Sequence, residues 1–254
     1  MGFVLHGPES VFFKQFLPSP ELEPWAERLW VTTPGSPAER PEVRVAPDAR
    51  TELILRVVSG GVSAAVGGAM SRHRAVPNDG RSIHVGLTLR AHAAAPLFHL
   101  NAAELTNETP ELAAVAARAC RSLPPPDPSS TQSCVEFLEA LVRHRIREGA
   151  REPDPTMAHV AQRLANPVTR IRGLIAELGW SDRHLRRRCL ESIGLSPKRI
   201  LQIHRMQRAL TLAHLNHRNQ WADLALSAGY YDQPHMIHEF RRLLGLTPPQ
   251  SLRY

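Results

Sequence analysis

The chain has 254 residues, of which 43% are hydrophobic and 22% charged, and its formal net charge is +7. This length fits one or two domains with a sizeable buried core. No apolar run approaches the roughly 18 residues that cross a bilayer, and the first ten residues lack the basic and apolar regions of an export signal. Three cysteines without a C-x-x-C pair argue against a disulfide-stapled secreted domain. We therefore expect a cytoplasmic protein with no membrane partner.

The excess positive charge lies in the last part of the chain. Residues 1–150 hold 15 Lys and Arg against 16 Asp and Glu, whereas residues 151–254 hold 16 against 8. Such asymmetry indicates a domain that meets a polyanion, and nucleic acid is favoured over an acidic membrane because no amphipathic surface anchor is visible. A merely soluble basic domain is the alternative on charge alone.

Proline-rich stretches divide the chain into three predicted units, because proline clusters mark loops and rigid spacers. The units are residues 1–122, a proline-bounded linker at 123–154, and residues 155–254.

In the first unit, short β-branched or alternating runs separated by Gly, Pro and Asn-Asp-Gly predict a small antiparallel β domain. These runs are Val43–Val45, Thr51–Val58, Val62–Val66 and Ile83–Leu89. Helices are predicted at Glu21–Trp30 and at Ala102–Arg121, the second capped by Asn101. The predicted fold class of this unit is therefore α+β. The spacing of Trp25 and Trp30 favours one core and one rim residue over a shared hydrophobic pocket.

The linker contains a predicted amphipathic helix at Ser130–Glu148. Its apolar stripe consists of Val135, Leu138, Leu141, Val142 and Ile146. Because the stripe is shorter than three heptads, packing on its own domain is favoured over a dimer seam.

The basic unit contains an internal repeat. Gly194-Leu195-Ser196-Pro197 recurs 51 residues later as Gly245-Leu246-Thr247-Pro248. Before each of these motifs the sequence predicts a helix, a glycine turn and a capped second helix, and the whole segment is one copy of the repeat. The turn glycine and the capping residue are Gly179 and Ser181 in the first copy, and Gly229 and Asp232 in the second. This order is typical of the helix-turn-helix motif, so the unit is predicted to be all-α with two such motifs.

A helix beginning at Ser196-Pro197 is predicted to join the two copies. At about 18 residues it would be roughly 27 Å long. We call the two helix-turn-helix motifs the first and the second head. Two heads held apart by such a helix can bind successive major-groove faces of one DNA duplex, which recur about every 34 Å.

The outward positions of each second helix carry side chains suited to duplex DNA. Arginine binds guanine bidentately and glutamine binds adenine, whereas further arginines suit phosphates. The base-reading candidates are Arg183, Arg186 and Arg187 in the first copy, and Gln233, His235 and His238 in the second. The phosphate-binding candidates are Arg188, Arg241 and Arg242. A solvated basic face is the alternative for the arginine run 186–188.

Over about residues 155–254 these motifs resemble the AraC/XylS family of bacterial transcription regulators. The resemblance runs from Ser181-Asp182-Arg183-His184-Leu185 to Gly194-Leu195-Ser196-Pro197, and from Ala225-Leu226-Ser227-Ala228-Gly229 to Gly245-Leu246-Thr247-Pro248. It implies a seven-helix DNA-binding domain with recognition helices within 181–193 and 233–244, and RNA polymerase as a candidate partner. Cys189 and Ile175 depart from the usual phenylalanine and small alanine, which implies a repacked core in the first copy.

The first unit resembles, less fully, a domain of no established activity that often precedes this DNA-binding domain. The matching residues are Pro47-Asp48, Glu52-Leu53-Ile54, Gly86, Arg90 and Ala103-Glu104-Leu105-Thr106. Ala91-His92 departs from the usual Pro-Gly. By family analogy, residues 1–122 would sense a small-molecule or protein effector, or form a homodimer.

Chemistry of other classes has little support in the sequence. No nucleophile elbow, phosphate loop or dinucleotide fingerprint is present, and Cys120 and Cys134 lie in apolar helical contexts that disfavour a thiolate. The spacing of His6, His73, His84, His92 and His99 matches no metal-ligand motif. We therefore expect no enzyme, cofactor or metal. The leading hypothesis is a sequence-specific, one-component transcription regulator that binds double-stranded DNA, and the alternative is a protein-interaction adaptor that retains the helix-turn-helix domain.

Overall fold

The computed structural model describes residues 4–5, 13–33, 42–166, 168–215 and 221–252. Within these residues the amino-terminal part holds eight strands in two antiparallel sheets. The strands are β1 (Val4–Leu5), β2 (Phe13–Phe16), β3 (Ala26–Thr32), β4 (Glu42–Val45), β5 (Glu52–Val58), β6 (Gly61–Gly67), β7 (Arg74–Pro77) and β8 (Ile83–Leu89). The larger sheet has the order β2-β3-β8-β5-β6, and the smaller has the order β1-β4-β7.

Three helices cover one face of the larger sheet. They are α1 (Ala94–Phe98), α2 (Leu112–Ser122) and α3 (Thr131–Arg147). Because side chains alternate along a strand, Leu53 and Leu55 of β5 and Leu87 of β8 point to the same face. There they join Leu138 and Leu141 of α3 in one hydrophobic core. The α+β prediction for this part is confirmed, and so is the packing of the linker helix on its own domain.

The predicted helix at Glu21–Trp30 is wrong. The structure has a short 3₁₀ helix at Pro20–Leu22, followed by strand β3. Trp30 and Val31 are both buried because β3 is covered on both sides, so the strand reads as a continuous apolar run rather than as an alternating one.

The predicted helix at Ala102–Arg121 is broken into two. A 3₁₀ helix at Ala102–Leu105 follows the Asn101 cap, and α2 starts only at Leu112. Between them Asn107 has a φ of 63°, which no helix tolerates, and Pro110 precedes α2. The sequence does not predict strands β1, β2 and β7.

The carboxyl-terminal part is helical throughout its described residues. Its seven helices are α4 (Pro155–Ala165), α5 (Ile171–Leu178), α6 (Asp182–Ile193), α7 (Pro197–Leu215), α8 (Trp221–Ser227), α9 (Gln233–Leu244) and α10 (Pro248–Ser251). They share a second hydrophobic core, to which Ala46, Ala49 and Ala69 of the amino-terminal part contribute. No described helix is long and apolar enough to cross a membrane.

Candidate nucleic-acid interface

The first helix-turn-helix consists of α5 and α6. Gly179 ends α5 with a φ of 65°, a left-handed conformation that glycine adopts without strain. The hydroxyl of Ser181 then accepts a hydrogen bond of 3.1 Å from the backbone N–H of His184, which satisfies a free donor at the start of α6. The predicted turn and cap are both confirmed.

The second helix-turn-helix, α8 and α9, repeats this construction. Gly229 has a φ of 91°, and the carboxylate of Asp232 accepts a hydrogen bond of 2.8 Å from the backbone N–H of His235. Pro234 lies in the first turn of α9, where its missing N–H costs nothing. In both copies a ring before the cap contacts a histidine on the second helix, Trp180 on His184 at 4.5 Å between ring centroids and Tyr230 on His235 at 5.4 Å.

On α6 the predicted base-reading arginines are on the outside. Arg183, Arg186 and Arg187 are all exposed. Arg187 forms an ion pair of 2.9 Å with Glu191 on the same helix, and a pair this exposed contributes little and gives way easily. Arg188 is half-buried and pairs with Asp154, the residue that caps α4.

On α9 the predicted residues differ in their surroundings. His238, Arg241 and Arg242 are exposed, whereas Gln233 and His235 are half-buried. His235 is engaged inside the head, since its Nε2 lies 3.4 Å from the Oε2 atom of Glu239.

A buried polar cluster in the second head was not predicted. Glu239 is only 4% exposed, and its Oε2 atom accepts a hydrogen bond of 3.2 Å from Gln202 of α7. Arg205 of α7 lies 3.9 Å from the same carboxylate and packs on the ring of Tyr230. This cluster ties α9 to α7. A glutamate in an otherwise basic helix was the only sequence signal for it.

The connecting helix α7 is 19 residues long, or about 28 Å at 1.5 Å per residue. Near its start the pKa of Arg199 is lowered, first by burial and then by the neighbouring Arg242. The positive charge of Arg242 thus acts on Arg199, and two such charges together suit a phosphate. Arg199 is thus a further candidate DNA contact, outside the recognition helices.

The amino-terminal part contacts the carboxyl end of both recognition helices. Thr106 Oγ1 donates a hydrogen bond of 2.7 Å to the carbonyl of Gly194, which ends α6. At the end of α9, Arg44 Nη1 donates to the carbonyl of Leu244 at 3.0 Å, and the backbone N–H of His73 donates to that of Leu243 at 2.8 Å. These contacts satisfy carbonyl groups that a helix end leaves free. They fix both heads against the sheet domain.

Thiol and metal chemistry find no support in the described residues. Burial raises the pKa of Cys189 to about 12, and burial also raises the pKa values of Cys120 and Cys134. No group of three His, Cys, Asp or Glu side chains in the described part of the chain is placed to hold a metal ion. His6 lies outside the described residues.

Two family models match the chain. A helix-turn-helix domain matches residues 174–253, and a domain of unknown function, DUF6597, matches residues 14–111. No curated protein matches the chain.

Three solved structures illustrate the structural likenesses. The C-terminal domain of AraT, a response regulator from Geobacillus stearothermophilus, is 20% identical, with 39% of this chain and 81% of that one aligned at a TM-score of 0.34. ToxT from Vibrio cholerae O395 is 9% identical over 96% of this chain and 98% of that one, at a TM-score of 0.45. The xylose-binding transcription activator XylR is 13% identical, with 47% of this chain and 38% of that one aligned at a TM-score of 0.34.

The two capped, outward-facing helices and the matched domain define the class of this chain, a DNA-binding transcription regulator of the helix-turn-helix type. More particularly, its carboxyl-terminal domain is of the AraC/XylS type, and a DUF6597 domain precedes it.

Proposed function

We propose that the chain is a sequence-specific, one-component transcription regulator of the cytoplasm, in which the two heads read one DNA duplex and the DUF6597 domain responds to an effector. The observation that carries this proposal is the pair of capped helices, α6 and α9, which expose arginine and histidine side chains. One continuous helix, α7, connects the two helix-turn-helix motifs. In the proposed units, residues 1–122 sense or dimerise, residues 123–154 link, and residues 155–254 bind DNA.

The proposed contacts differ between the heads. In the first, Arg183, Arg186 and Arg187 read bases, since all three are exposed on α6. In the second, the proposed readers are Gln233, His235 and His238, of which His238 is the most accessible because Gln233 and His235 are half-buried.

Phosphate contacts are proposed for Arg241 and Arg242, which are exposed in the last turn of α9. Arg188 remains a proposed phosphate contact, but it must exchange its Asp154 partner for the phosphate. Arg199 beside Arg242 extends this surface onto α7.

The test is a selection of bound sequences from randomised duplex DNA with the full chain, followed by affinity measurements at two salt concentrations. We expect two recognised elements about one helical turn apart, and a dissociation constant that rises steeply with salt because phosphates are neutralised. A duplicated set of elements would identify a homodimer. Absence of any salt-dependent binding would overturn the proposal in favour of the protein-interaction adaptor.

A further inference from the structure

A cavity of about 500 Å³, partly open to solvent, lies between the two sheets of the amino-terminal part. This is within the range of small-molecule sites, which are usually 300–1,000 Å³ and mostly apolar. Strands β3, β8, β5 and β6 form one wall, where Trp30, Gly86, Ile54 and Ala65 lie side by side in register. The smaller sheet forms the facing wall with Val43, Val45 and Val76.

A flat aromatic surface is built into this wall. The indole of Trp30 lies over Gly86, so closely that a Cβ added there would be 2.2 Å from the ring. Phe13 of β2 stacks beside it, with ring centroids 6.1 Å apart and planes at 29°. An apolar ring or chain can therefore pack against Trp30 and Phe13 inside the cavity.

At one end the cavity wall is charged. Arg28 and Asp48 are 6% and 5% exposed, and Arg28 Nη2 lies 3.6 Å from Asp48 Oδ2. Among the described residues neither of these two atoms has a hydrogen-bond partner, nor has Arg28 Nε. An unpartnered buried polar atom is costly, so a group that accepts from Arg28 and donates to Asp48 would be favoured here.

The charges at this end select against an ionised group. Arg28 and Arg50 are matched by Asp48 and Glu27, since Arg50 pairs with Asp48 at 2.8 Å and with Glu27 at 2.6 Å. Glu52 adds a further carboxyl group, and burial, followed by the proximity of Asp48, raises its pKa. A carboxylate would meet Asp48 and Glu52, whereas an ammonium group would meet the two arginines.

We propose that this cavity binds a small, largely apolar molecule that carries one neutral hydroxyl or amide group, and that this molecule is the effector of the regulator. The regulatory half of this inference rests on the function proposed above. The apolar part packs on Trp30 and Phe13. The neutral group lies between Arg28 and Asp48.

The same loop that supplies Asp48 joins the cavity to the DNA-binding part. Pro47, the preceding residue, accepts a hydrogen bond of 3.1 Å at its carbonyl from Nε2 of Gln207 on α7. Ala46 and Ala49 are buried in the core of the helical domain. A shift of Asp48 toward a bound molecule therefore moves residues that pack on α7, the helix between the two heads. Occupancy of the cavity is thereby coupled to DNA affinity.

The binding half is tested on the full chain by calorimetry with three probes that share one tail: 4-phenylbutan-1-ol, 4-phenylbutanoate and 4-phenylbutylammonium. We expect the alcohol to bind at least about tenfold more tightly than either ion, a difference of about 1.4 kcal/mol. Equal binding of all three, tighter binding of an ion, or binding of none would overturn the proposal.

Two variants locate the site. Ala65→Phe fills the cavity and should weaken alcohol binding at least tenfold, whereas Ala113→Phe, the same change at an exposed position of α2, should not. Asp48→Asn should shift the preference toward the carboxylate probe, which gives a second readout if Ala65→Phe does not fold. Alcohol binding that is unchanged in a folded Ala65→Phe chain would place the site elsewhere and overturn the proposal.

The coupling half is tested with the DNA sequence obtained by selection. Saturating alcohol should change DNA affinity by at least about fivefold, and DNA should change alcohol affinity by the same factor. Gln207→Leu should reduce this factor while alcohol affinity stays the same. If the alcohol binds and DNA affinity does not change, the coupling is overturned. If the chain binds no DNA at all, the proposed function fails, and the calorimetry still shows whether the cavity binds the alcohol.

Discussion

Thr106 Oγ1 donates a hydrogen bond of 2.7 Å to the carbonyl oxygen of Gly194, although the two residues are 88 positions apart in the chain. Gly194 ends the recognition helix of the first head, and Thr106 follows the short 3₁₀ helix of the sheet domain. The bond therefore joins the sheet domain to the helical domain at a helix end that would otherwise leave its carbonyl groups free.

Replacing Thr106 with Val should lower the free energy of unfolding by about 1 kcal/mol, because it keeps the shape of the side chain and removes one partly buried hydrogen bond. Urea denaturation of the full chain measures this change. Thr131→Val, at an exposed position at the start of α3, should stay within about 0.5 kcal/mol of the parent. An equal effect of both substitutions would contradict the role given to Thr106.

The exposed arginines of the two heads should divide into two classes. Arg186→Ala should cost about 1–3 kcal/mol of binding free energy at one base position and relax specificity there. Arg241→Ala should weaken binding to all sequences alike and reduce the salt slope by about one. Binding to a panel of single-base operator variants at several salt concentrations distinguishes the two.

Arg121→Ala, an exposed change on α2 of the sheet domain, is the control for loss of positive charge. A uniform loss for both Arg186 and Arg241 would mean that neither reads a base.

Gly86→Ala should destabilise the chain by about 1–3 kcal/mol, because its Cβ would lie 2.2 Å from the ring of Trp30. Gly173→Ala is a matched control within helix α5, where nothing lies within 4 Å of the added Cβ. It should stabilise by about 0.5–1 kcal/mol, since alanine loses less backbone entropy in a helix. Trp30→Phe should partly rescue Gly86→Ala, and the absence of rescue would show that the clash lies elsewhere.

Stability should decrease as the pH falls from 6.5 toward 4. Burial lowers the pKa of His204 from 6.5 to about 4, and the neighbouring Arg50 lowers it further than Asp48 raises it. In that window the unfolded chain binds a proton that the folded chain does not, so the contribution of His204 is a loss of up to about 3 kcal/mol. His73 and His84, which are half-buried, and His92, which is buried, also have lowered pKa values and act in the same direction.

Urea denaturation at a series of pH values, on the parent and on His204→Gln, isolates this contribution. The variant should lose less stability between pH 6.5 and pH 4 than the parent. His238→Gln, at an exposed site, controls for the removal of a histidine. Parallel pH curves for the parent and His204→Gln would mean that His204 is accessible to protons in the folded chain.

The length of α7 should fix the spacing of the two recognised DNA elements. An insertion of about 5 base pairs between them turns one element to the opposite side of the duplex, and an insertion of about 10 restores the side but not the distance. Both insertions should abolish the contribution of one head, because a helix of 19 residues does not lengthen. Recovery with the longer insertion, measured by gel shift, would show that the heads are flexibly joined.

The sequence predicted those features that are encoded by neighbouring residues. The turns at Gly179 and Gly229, the caps at Ser181 and Asp232, and the exposed side of α6 follow from local propensity and helical periodicity. The strands β5, β6 and β8 were found for the same reason. By contrast, β3 was mistaken for a helix because burial of both its faces removed the alternation that marks a strand.

The contacts that join the sheet domain to the helical domain cannot be predicted from the sequence alone. Arg44 reaches Leu244 across 200 positions of the chain, and no periodicity relates them. In the sequence Asp48 is marked only by a resemblance, and its place in the cavity wall depends on how β4 and β5 are brought together. The cluster around Glu239 likewise needs α7 and α9 to be packed before its members become neighbours.

The sheet domain donates hydrogen bonds to main-chain carbonyl groups at the ends of α6 and α9, those of Gly194, Leu243 and Leu244. The side chains that we propose to read bases lie elsewhere on the same helices and take no part in these bonds. Substitutions at the proposed base-reading positions can therefore accumulate in evolution without disturbing the link to the sheet domain. Under the proposed function, a duplicated gene can acquire a new operator while it keeps the old signal, so target choice and response evolve separately in this architecture.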